Sequence, residues 1–103
     1  MTRIIKALRR TARDSWVKKR RGDVAASGEP DIERVRFGHV TMLEAKLDGN
    51  EPTPLQRRVM DRLQRAGATV GVVHSVEEAL ALAELADSLC GEEIPLDFDG
   101  GEE

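Results

Sequence analysis

The sequence predicts a small α/β domain in which a mixed β-sheet is flanked by helices, in the order α-β-β-α-β-α. Three patterns support this fold class: hydrophobic residues at helical spacing in three segments, an alternation of apolar and polar residues that starts at Asp31, and a short apolar run over residues 69–74. The chain has 103 residues, of which 40% are hydrophobic and 34% charged. This composition is typical of one globular domain with a heavily charged surface.

The N-terminal segment, residues 3–13, is predicted to form an amphipathic helix with a basic outer face. Its apolar residues share one side: Ile4, Ile5, Leu8 and Ala12. Trp16 and Val17 are expected to begin a short strand, and residues 18–22 to form a basic turn. Trp16 is interpreted as a core residue rather than as a platform for base stacking, because it is the only tryptophan.

An antiparallel hairpin is predicted between residues 31 and 47. The first strand follows Asp31, Gly38-His39 supplies the turn, and residues 40–47 are apolar enough for a central strand. With the turn centred on Gly38-His39, residue i pairs with about residue 77 − i. This register places Asp31 opposite Lys46.

A βαβ unit is predicted to follow. Thr53 is placed to cap a helix that begins at Pro54, runs to about Ala66 and ends before Gly67. A buried strand over residues 69–74 comes next. Ser75, with Glu78 three residues later, has the spacing of a capping box for a last helix over residues 76–89.

The charges are distributed unevenly. Residues 1–40 contain eleven Lys and Arg against five Asp and Glu, whereas residues 84–103 contain eight acidic residues and no basic one. This asymmetry favours a face for nucleic acid combined with an acidic tail. We therefore expect a single domain over residues 1–90 and a disordered acidic tail over residues 91–103.

Neither a membrane protein nor a secreted protein is expected. No apolar run approaches the roughly 20 residues that span a bilayer. The apolar stretch near the N-terminus is interrupted by Lys6 and ends in Arg9-Arg10, which is untypical of a signal peptide. A single cysteine, Cys90, cannot form an internal disulfide, which fits a reducing cytoplasm, that of the host if the chain is viral.

Two carboxylates and one ammonium are predicted to converge at one end of the sheet. Glu44 and Lys46 lie two residues apart on one strand and so point to the same face, and the hairpin brings Asp31 beside them. Burying such charges is costly unless they are compensated. A hard divalent cation such as Mg²⁺ would compensate the carboxylates, since it prefers their oxygens together with water and phosphate.

Gln56 and a group of basic residues extend this candidate site. Gln56 shares a helical stripe with Met60 and Leu63, which should turn its amide over the edge of the sheet. The candidate DNA contacts are Arg9, Arg10, Arg13, Lys18, Lys19, Arg20 and Arg21. Phosphate neutralisation is the functional interpretation of this basic group, and an ordinary solvated face is the alternative.

Four blocks of the sequence, in this order and at this spacing, resemble the virus-type replication-repair nuclease (VRR-NUC) domain of the PD-(D/E)xK superfamily. They are Gly28-Glu29-Pro30-Asp31, Leu43-Glu44-Ala45-Lys46, Thr53-Pro54-Leu55-Gln56 and the segment from Gly67 to Val73. The resemblance covers roughly residues 16 to 85. It implies a restriction-endonuclease-like fold.

The resemblance also implies roles for the site residues. Asp31 and Glu44 would bind Mg²⁺ or Mn²⁺ together with the carbonyl of Ala45, and Lys46 and Gln56 would be catalytic. A glutamate that the family usually has on its first helix is missing, because Asp14 is the only acidic residue in residues 1–15. Either Asp14 replaces it as a ligand from the end of the helix, or the site works with one ligand fewer.

Three functions are compared. The first is a metal-dependent endonuclease selective for branched DNA such as four-way (Holliday) junctions, acting as a homodimer, as the resemblance implies for short stand-alone members. The second is a catalytically degenerate nuclease fold that binds DNA without cutting it. The third is a protein-interaction adaptor that uses residues 92–103.

Overall fold

A computed structural model describes residues 2–12, 14–20 and 27–89 of the chain. The elements in chain order are α1 (Thr2–Thr11), β1 (Ser15–Lys19), β2 (Ile32–Arg36), β3 (His39–Ala45), α2 (Pro54–Arg65), β4 (Thr69–Val73) and α3 (Val76–Leu89). The predicted α/β class with a small mixed sheet is confirmed. The order has one strand more than predicted, α-β-β-β-α-β-α, because β1 is a full member of the sheet.

The four strands lie in the order β1-β2-β3-β4. The first three are antiparallel neighbours, whereas β3 and β4 are parallel and are connected through α2. Lys18 and Lys19, which were predicted to lie in a basic turn, belong to β1 instead. The reason is that Lys18 pairs with Glu33 and Lys19 with Ile32, so the β1–β2 ladder continues to the end of the strand.

The hairpin turn is centred on Phe37 and Gly38, whose φ angles are 52° and 77°. Arg36 pairs with His39 across it. Positive φ at both central residues is the geometry that fits the twist of two paired strands. The predicted register is therefore wrong by two residues: Ile32 pairs with Leu43, and the same register continued by one residue sets Asp31 opposite Glu44 rather than Lys46.

The two faces of the sheet are covered differently. One face packs against α1 and α3 and holds the hydrophobic core: Ile4, Leu8, Val17, Ile32, Leu43, Val73, Ala79 and Ala83. Burial of each large aliphatic side chain there contributes about 1.5–3 kcal/mol. Because side chains alternate along a strand, Met42 and Glu44 point to the opposite face, where α2 lies.

Helix α2 is fixed at both ends by its own sequence. Thr53 and Gln56 form a capping box at its start. At its end, Gly67 adopts φ 112°, and the amide of Ala68 donates to the carbonyl of Leu63. The predicted caps are thus confirmed. Leu55 is exposed, and Gln56 is the buried residue of this helix.

An ion-pair cluster ties β2 to α3 at the end of the sheet that lies away from Asp31. Arg34, only 1% exposed, donates from Nη1 and Nη2 to the two carboxylate oxygens of Asp87 over 2.9 and 3.1 Å. Arg36 adds a third hydrogen bond of 2.7 Å to Asp87. This arrangement compensates a buried charge that would otherwise cost several kcal/mol.

No helix among the described residues is long and apolar enough to cross a membrane. The predicted acidic tail, residues 91–103, lies outside the described part of the chain, as do Arg13, Arg21 and Cys90.

Candidate active site

Asp31 lies immediately before β2 and is held by hydrogen bonds to two other segments. Its backbone carbonyl accepts from the amide of Arg20 over 2.8 Å, which ties it to the end of β1. Its Oδ1 accepts from the backbone amide of Ala45 over 3.1 Å. The carboxylate is thereby fixed against the last residues of β3, where Glu44 and Lys46 lie.

Glu44 occupies the buried face of β3 beneath α2. Its side chain is almost completely enclosed, with a residue exposure of 5%. Oε2 accepts a hydrogen bond of 3.2 Å from Nε2 of Gln56 and lies 3.5 Å from Nζ of Lys46. A buried carboxylate, an amide and an ammonium therefore meet at one oxygen atom.

Gln56 is oriented by the start of its own helix. Its backbone amide donates to Oγ1 of Thr53 over 3.1 Å, and its Oε1 accepts from the backbone amide of Thr53 over 2.9 Å. With Oε1 engaged in this capping box, the Nε2 group is turned toward Glu44. The capping box therefore explains why Gln56 lies over the sheet, and the Thr-x-x-Gln spacing is the sequence pattern that indicates it.

Both carboxylates have a pKa above the ordinary value of their group. Burial raises the pKa of Asp31, although the amide of Ala45 and the charges of Lys46 and Lys19 partly offset this effect. Burial also raises the pKa of Glu44, and the negative charge of Asp31 raises it further, against the opposing effects of Lys46 and Gln56. Two partly desolvated carboxylates close together at a sheet end mark a candidate functional site.

The donor set suits one kind of metal ion. The described residues contain no group of three or more His, Cys, Asp or Glu side chains that could hold an ion. Two carboxylates are therefore the available acidic ligands, with the carbonyl of Ala45 beside them in the sequence. Zn²⁺ in tetrahedral protein sites needs more side-chain ligands, whereas Mg²⁺ retains several waters and binds through one or two carboxylates plus substrate phosphate. Asp31 and Glu44 fit Mg²⁺, or the chemically similar Mn²⁺.

Asp14 does not lie with these carboxylates. It precedes β1, where it accepts a hydrogen bond of 2.9 Å from Nε of Arg36 at the far end of β2. Five strand residues, roughly 16 Å at 3.3 Å per residue, separate this end from Asp31. The expectation that Asp14 replaces the missing glutamate as a metal ligand is therefore wrong, because the first helix ends at the opposite end of the sheet.

The candidate DNA contacts that the structure describes fall into two groups. Lys18, Lys19 and Arg20 run along β1 toward Asp31, and the charge of Lys19 is close enough to lower the pKa of that carboxyl. Arg20 forms an ion pair with Glu29. Arg9 lies on α1 and binds the carbonyl of Val17 through Nε and Nη2, over 3.2 and 3.0 Å. Arg10 is exposed on α1.

Trp16 is the residue whose environment differs most from expectation. It is 53% exposed, so the interpretation as a core residue is wrong. In β1 the inward side chain is that of its neighbour Val17, which is 5% exposed and belongs to the core. Because side chains alternate along a strand, Trp16 then points to the other face. In the sequence, the adjacent apolar Val17 was the residue that could have indicated this orientation.

Comparison of the chain with protein-family models, with curated proteins and with solved structures gives no significant match.

Proposed function

We propose that the protein is a metal-dependent endonuclease with a PD-(D/E)xK-type fold that hydrolyses phosphodiesters of branched DNA, such as four-way junctions. The observation that carries this proposal is the meeting of two carboxylates with raised pKa values and one lysine at the carboxyl end of a central strand. These groups suit phosphodiester hydrolysis because they combine ligands for a hard cation with a positive charge beside it. The resemblance of four sequence blocks to VRR-NUC domains supports the same reaction.

Each side chain has a distinct role in this proposal. Asp31 and Glu44, with the carbonyl of Ala45, would hold Mg²⁺ or Mn²⁺. When bound, the ion lowers the pKa of a water molecule and neutralises phosphate charge. Lys46 places its ammonium beside Glu44, where it can stabilise the negative charge that develops on the phosphate. Gln56 holds Glu44 by its hydrogen bond and so keeps the ligand oriented.

The distribution of charge favours DNA binding on the α2 side of the sheet. A cleft of about 450 Å³ on the α2 side is lined by Arg20, Arg62 and two apolar residues of α2, together with Glu29. On the α1–α3 side, the cleft of about 540 Å³ is lined by Glu77, Glu84 and Asp87. The acidic lining of that cleft disfavours a polyanion, so we place the phosphate backbone along β1 and across the candidate site. Arg9 and Arg10, on α1, lie outside this path.

We further propose that the protein acts as a homodimer. Leu85 and Leu89 on α3 are 51% and 65% exposed, and β4 is the last strand of the described sheet beside them. An apolar surface of this kind can be buried against a second copy related by two-fold symmetry. Two copies would supply the paired sites that symmetric cutting of a junction requires. Sedimentation at micromolar concentration should give a dimer, and a monomer there would contradict this part of the proposal.

The first experiment is cleavage of a labelled four-way junction, a flap and a linear duplex, each in Mg²⁺, Mn²⁺ or EDTA. We expect metal-dependent cutting of branched DNA by the wild type and none by Glu44→Ala or Lys46→Ala. Asp61→Asn is the matched control, because Asp61 pairs with Arg65 on the exposed side of α2 and should leave the rate unchanged. Cutting that persists in EDTA, or in Glu44→Ala, would contradict the proposed mechanism.

The alternative is a degenerate nuclease fold that binds DNA without cutting. It is favoured by one observation, the position of Asp14 far from the carboxylates, which leaves two acidic ligands in the described part of the site. This alternative predicts metal-independent binding of DNA and no cleavage in either metal. The adaptor hypothesis rests on residues 92–103, outside the described structure, and deletion of that segment tests it.

A further inference from the structure

Trp16 exposes a large aromatic surface on a strand that leads to the candidate active site. Its ring is exposed although tryptophan normally buries most of its area in a domain of this size. Lys18, the next residue on the same face of β1, places Nζ 5.4 Å from the centre of the ring. A half-exposed aromatic ring with a cation over one face is a surface suited to a nucleotide, because the base can stack on the ring while the cation contacts the phosphate.

The position of Trp16 relates it to the carboxylates. Val17 packs into the core between α1 and α3, so Trp16 and Lys18 point to the opposite face, the one that carries Glu44. Trp16 pairs with Val35, and Lys18 pairs with Glu33, two residues from Asp31. The four residue steps from Val35 to Asp31 span roughly 13 Å at 3.3 Å per step, which is about four stacked base steps of 3.4 Å.

We propose that Trp16 stacks on an unpaired base of the DNA strand that is cut at the Asp31–Glu44 site, with Lys18 contacting a phosphate between them. This inference rests on the proposed function. It names a source of selectivity: in a continuous duplex every base is stacked on its neighbours and paired, whereas a branch point offers bases that can leave the stack. A single exposed aromatic residue can therefore increase the affinity for branched DNA without recognising a particular base sequence.

Intrinsic fluorescence tests the proposal directly, because Trp16 is the only tryptophan of the chain. The full-length Lys46→Ala variant, which should not cut, is titrated with a flap, a four-way junction and a linear duplex. Anisotropy of a label on the DNA reports binding in the same samples. We expect quenching of Trp16 by branched DNA and little change with duplex at equal occupancy.

Two substitutions of Trp16 separate stacking from general contact. Trp16→Leu should bind branched DNA roughly 5- to 150-fold more weakly, the range for loss of one aromatic–base stack, with duplex binding unchanged. Trp16→Phe should retain most of the affinity. Asp61→Asn is the control, since it alters an exposed side chain on α2 that pairs only with Arg65 in the described structure. Because position 16 is exposed, circular dichroism should show that the wild type, the two Trp16 variants and the control variant are all folded.

Failure of this inference differs from failure of the proposed function. Metal-dependent cleavage that is unaffected by Trp16→Leu, or tight binding without quenching, would overturn the role of Trp16 and leave the nuclease proposal standing. Absence of both DNA binding and cleavage in the wild type would overturn the two together.

Discussion

Gln56 donates a hydrogen bond of 3.2 Å from its side-chain amide to Oε2 of Glu44 and thereby joins α2 to β3 at the candidate site. The same side chain accepts from the backbone amide that starts α2. One residue therefore serves the stability of the helix and the orientation of the Glu44 carboxylate, and substitutions can separate these two contributions.

Gln56→Glu should keep the helix cap and disrupt the contact with Glu44. The new carboxylate can still accept from the amide of Thr53, but its second oxygen would face Oε2 of Glu44 and repel it. We expect a loss of about 1–3 kcal/mol in EDTA at pH 7, and recovery as the pH falls. Thr53→Ala, the control, should lose about 1 kcal/mol with little dependence on pH. A Gln56→Glu protein as stable as wild type at pH 7 would contradict the geometry described.

The raised pKa values of Asp31 and Glu44 predict a gain of stability when either charge is removed. The ordinary pKa values of these groups are 3.8 and 4.5. A carboxyl whose pKa is higher in the folded state binds protons more tightly when folded, so its favourable contribution is present below the unfolded pKa and is lost as the pH rises through the folded pKa. Glu44→Gln should therefore have a higher Tm than wild type in EDTA at pH 7.

The difference should shrink as the pH falls and disappear near about pH 3, where both groups are largely protonated even when unfolded. Thermal melts across pH 3–8 measure it, with Asp61→Asn as a control for loss of one exposed carboxylate. A Tm of Glu44→Gln at or below that of wild type at pH 7 would count against the electrostatic conflict between the carboxylates.

In the presence of a divalent metal ion, the two carboxylates should stabilise the folded protein instead of destabilising it. A divalent ion that binds the folded protein alone stabilises it by about 2.7 kcal/mol at a concentration hundredfold above Kd. Mg²⁺ or Mn²⁺ should accordingly raise the Tm of wild type and not that of Asp31→Asn, in the absence of DNA. Equal shifts in the two proteins would mean that the ion binds elsewhere.

Removal of Asp87 should be the most damaging of the substitutions considered. Arg34 would be left buried without its partner, which costs about 3–5 kcal/mol in comparable cases. Although burial acts in the opposite direction, the guanidinium groups of Arg34 and Arg36 lower the pKa of Asp87. Its contribution is thus present at neutral pH and lost as the pH falls below about 4.

Chemical denaturation of Asp87→Ala at pH 7 measures the loss. The double variant Arg34→Met with Asp87→Leu removes both charges and should recover most of it. Failure of the double variant to recover would indicate that the pair is needed for more than charge compensation.

Two glycines with the same φ angle allow strain and packing to be separated. Gly28 and Gly38 both have φ 77°. A Cβ at Gly28 would lie 2.7 Å from Cγ of Leu55, whereas one at Gly38 would meet nothing within 4 Å. Gly38→Ala should therefore cost only the strain of the left-handed conformation, about 1–2 kcal/mol.

Gly28→Ala should cost about 1–3 kcal/mol more, because it pushes the segment before Asp31 away from α2. We also expect it to reduce DNA cleavage, which Gly38→Ala should not do. Denaturant melts and initial rates on the preferred branched substrate test both statements. Equal stability losses in the two variants would contradict the close contact at Gly28.

The sequence predicted the elements more reliably than their relative placement. The caps at Thr53, Gly67 and Ser75 are local patterns, and they set the bounds of α2 and α3 to within about a residue. The hairpin register depended on which two residues form the turn, and Phe37 is one of them although a bulky residue rarely adopts positive φ. The two-residue shift changed the partner of Asp31 but not its face, so the convergence of the site residues was still predicted.

Features that depend on packing between distant segments could not be predicted in the same way. The burial of Arg34 depends on Asp87, 53 positions later in the chain, and nothing in the local pattern of β2 indicates that partner. The exposure of Trp16 likewise depends on which face of β1 the helices cover. Composition alone favoured burial for the only tryptophan, and that preference was wrong.

The clamp of Arg34 and Arg36 on Asp87 also has a dynamic consequence. It fixes α3 to the sheet at the end away from the candidate site, while the opposite end holds the carboxylates of Asp31 and Glu44, whose charged forms burial disfavours. Local unfolding should therefore begin near Asp31 and Glu44 and reach the clamp last. The candidate site can adjust its side chains to a metal ion or a phosphate while the far end of the domain keeps the chain folded.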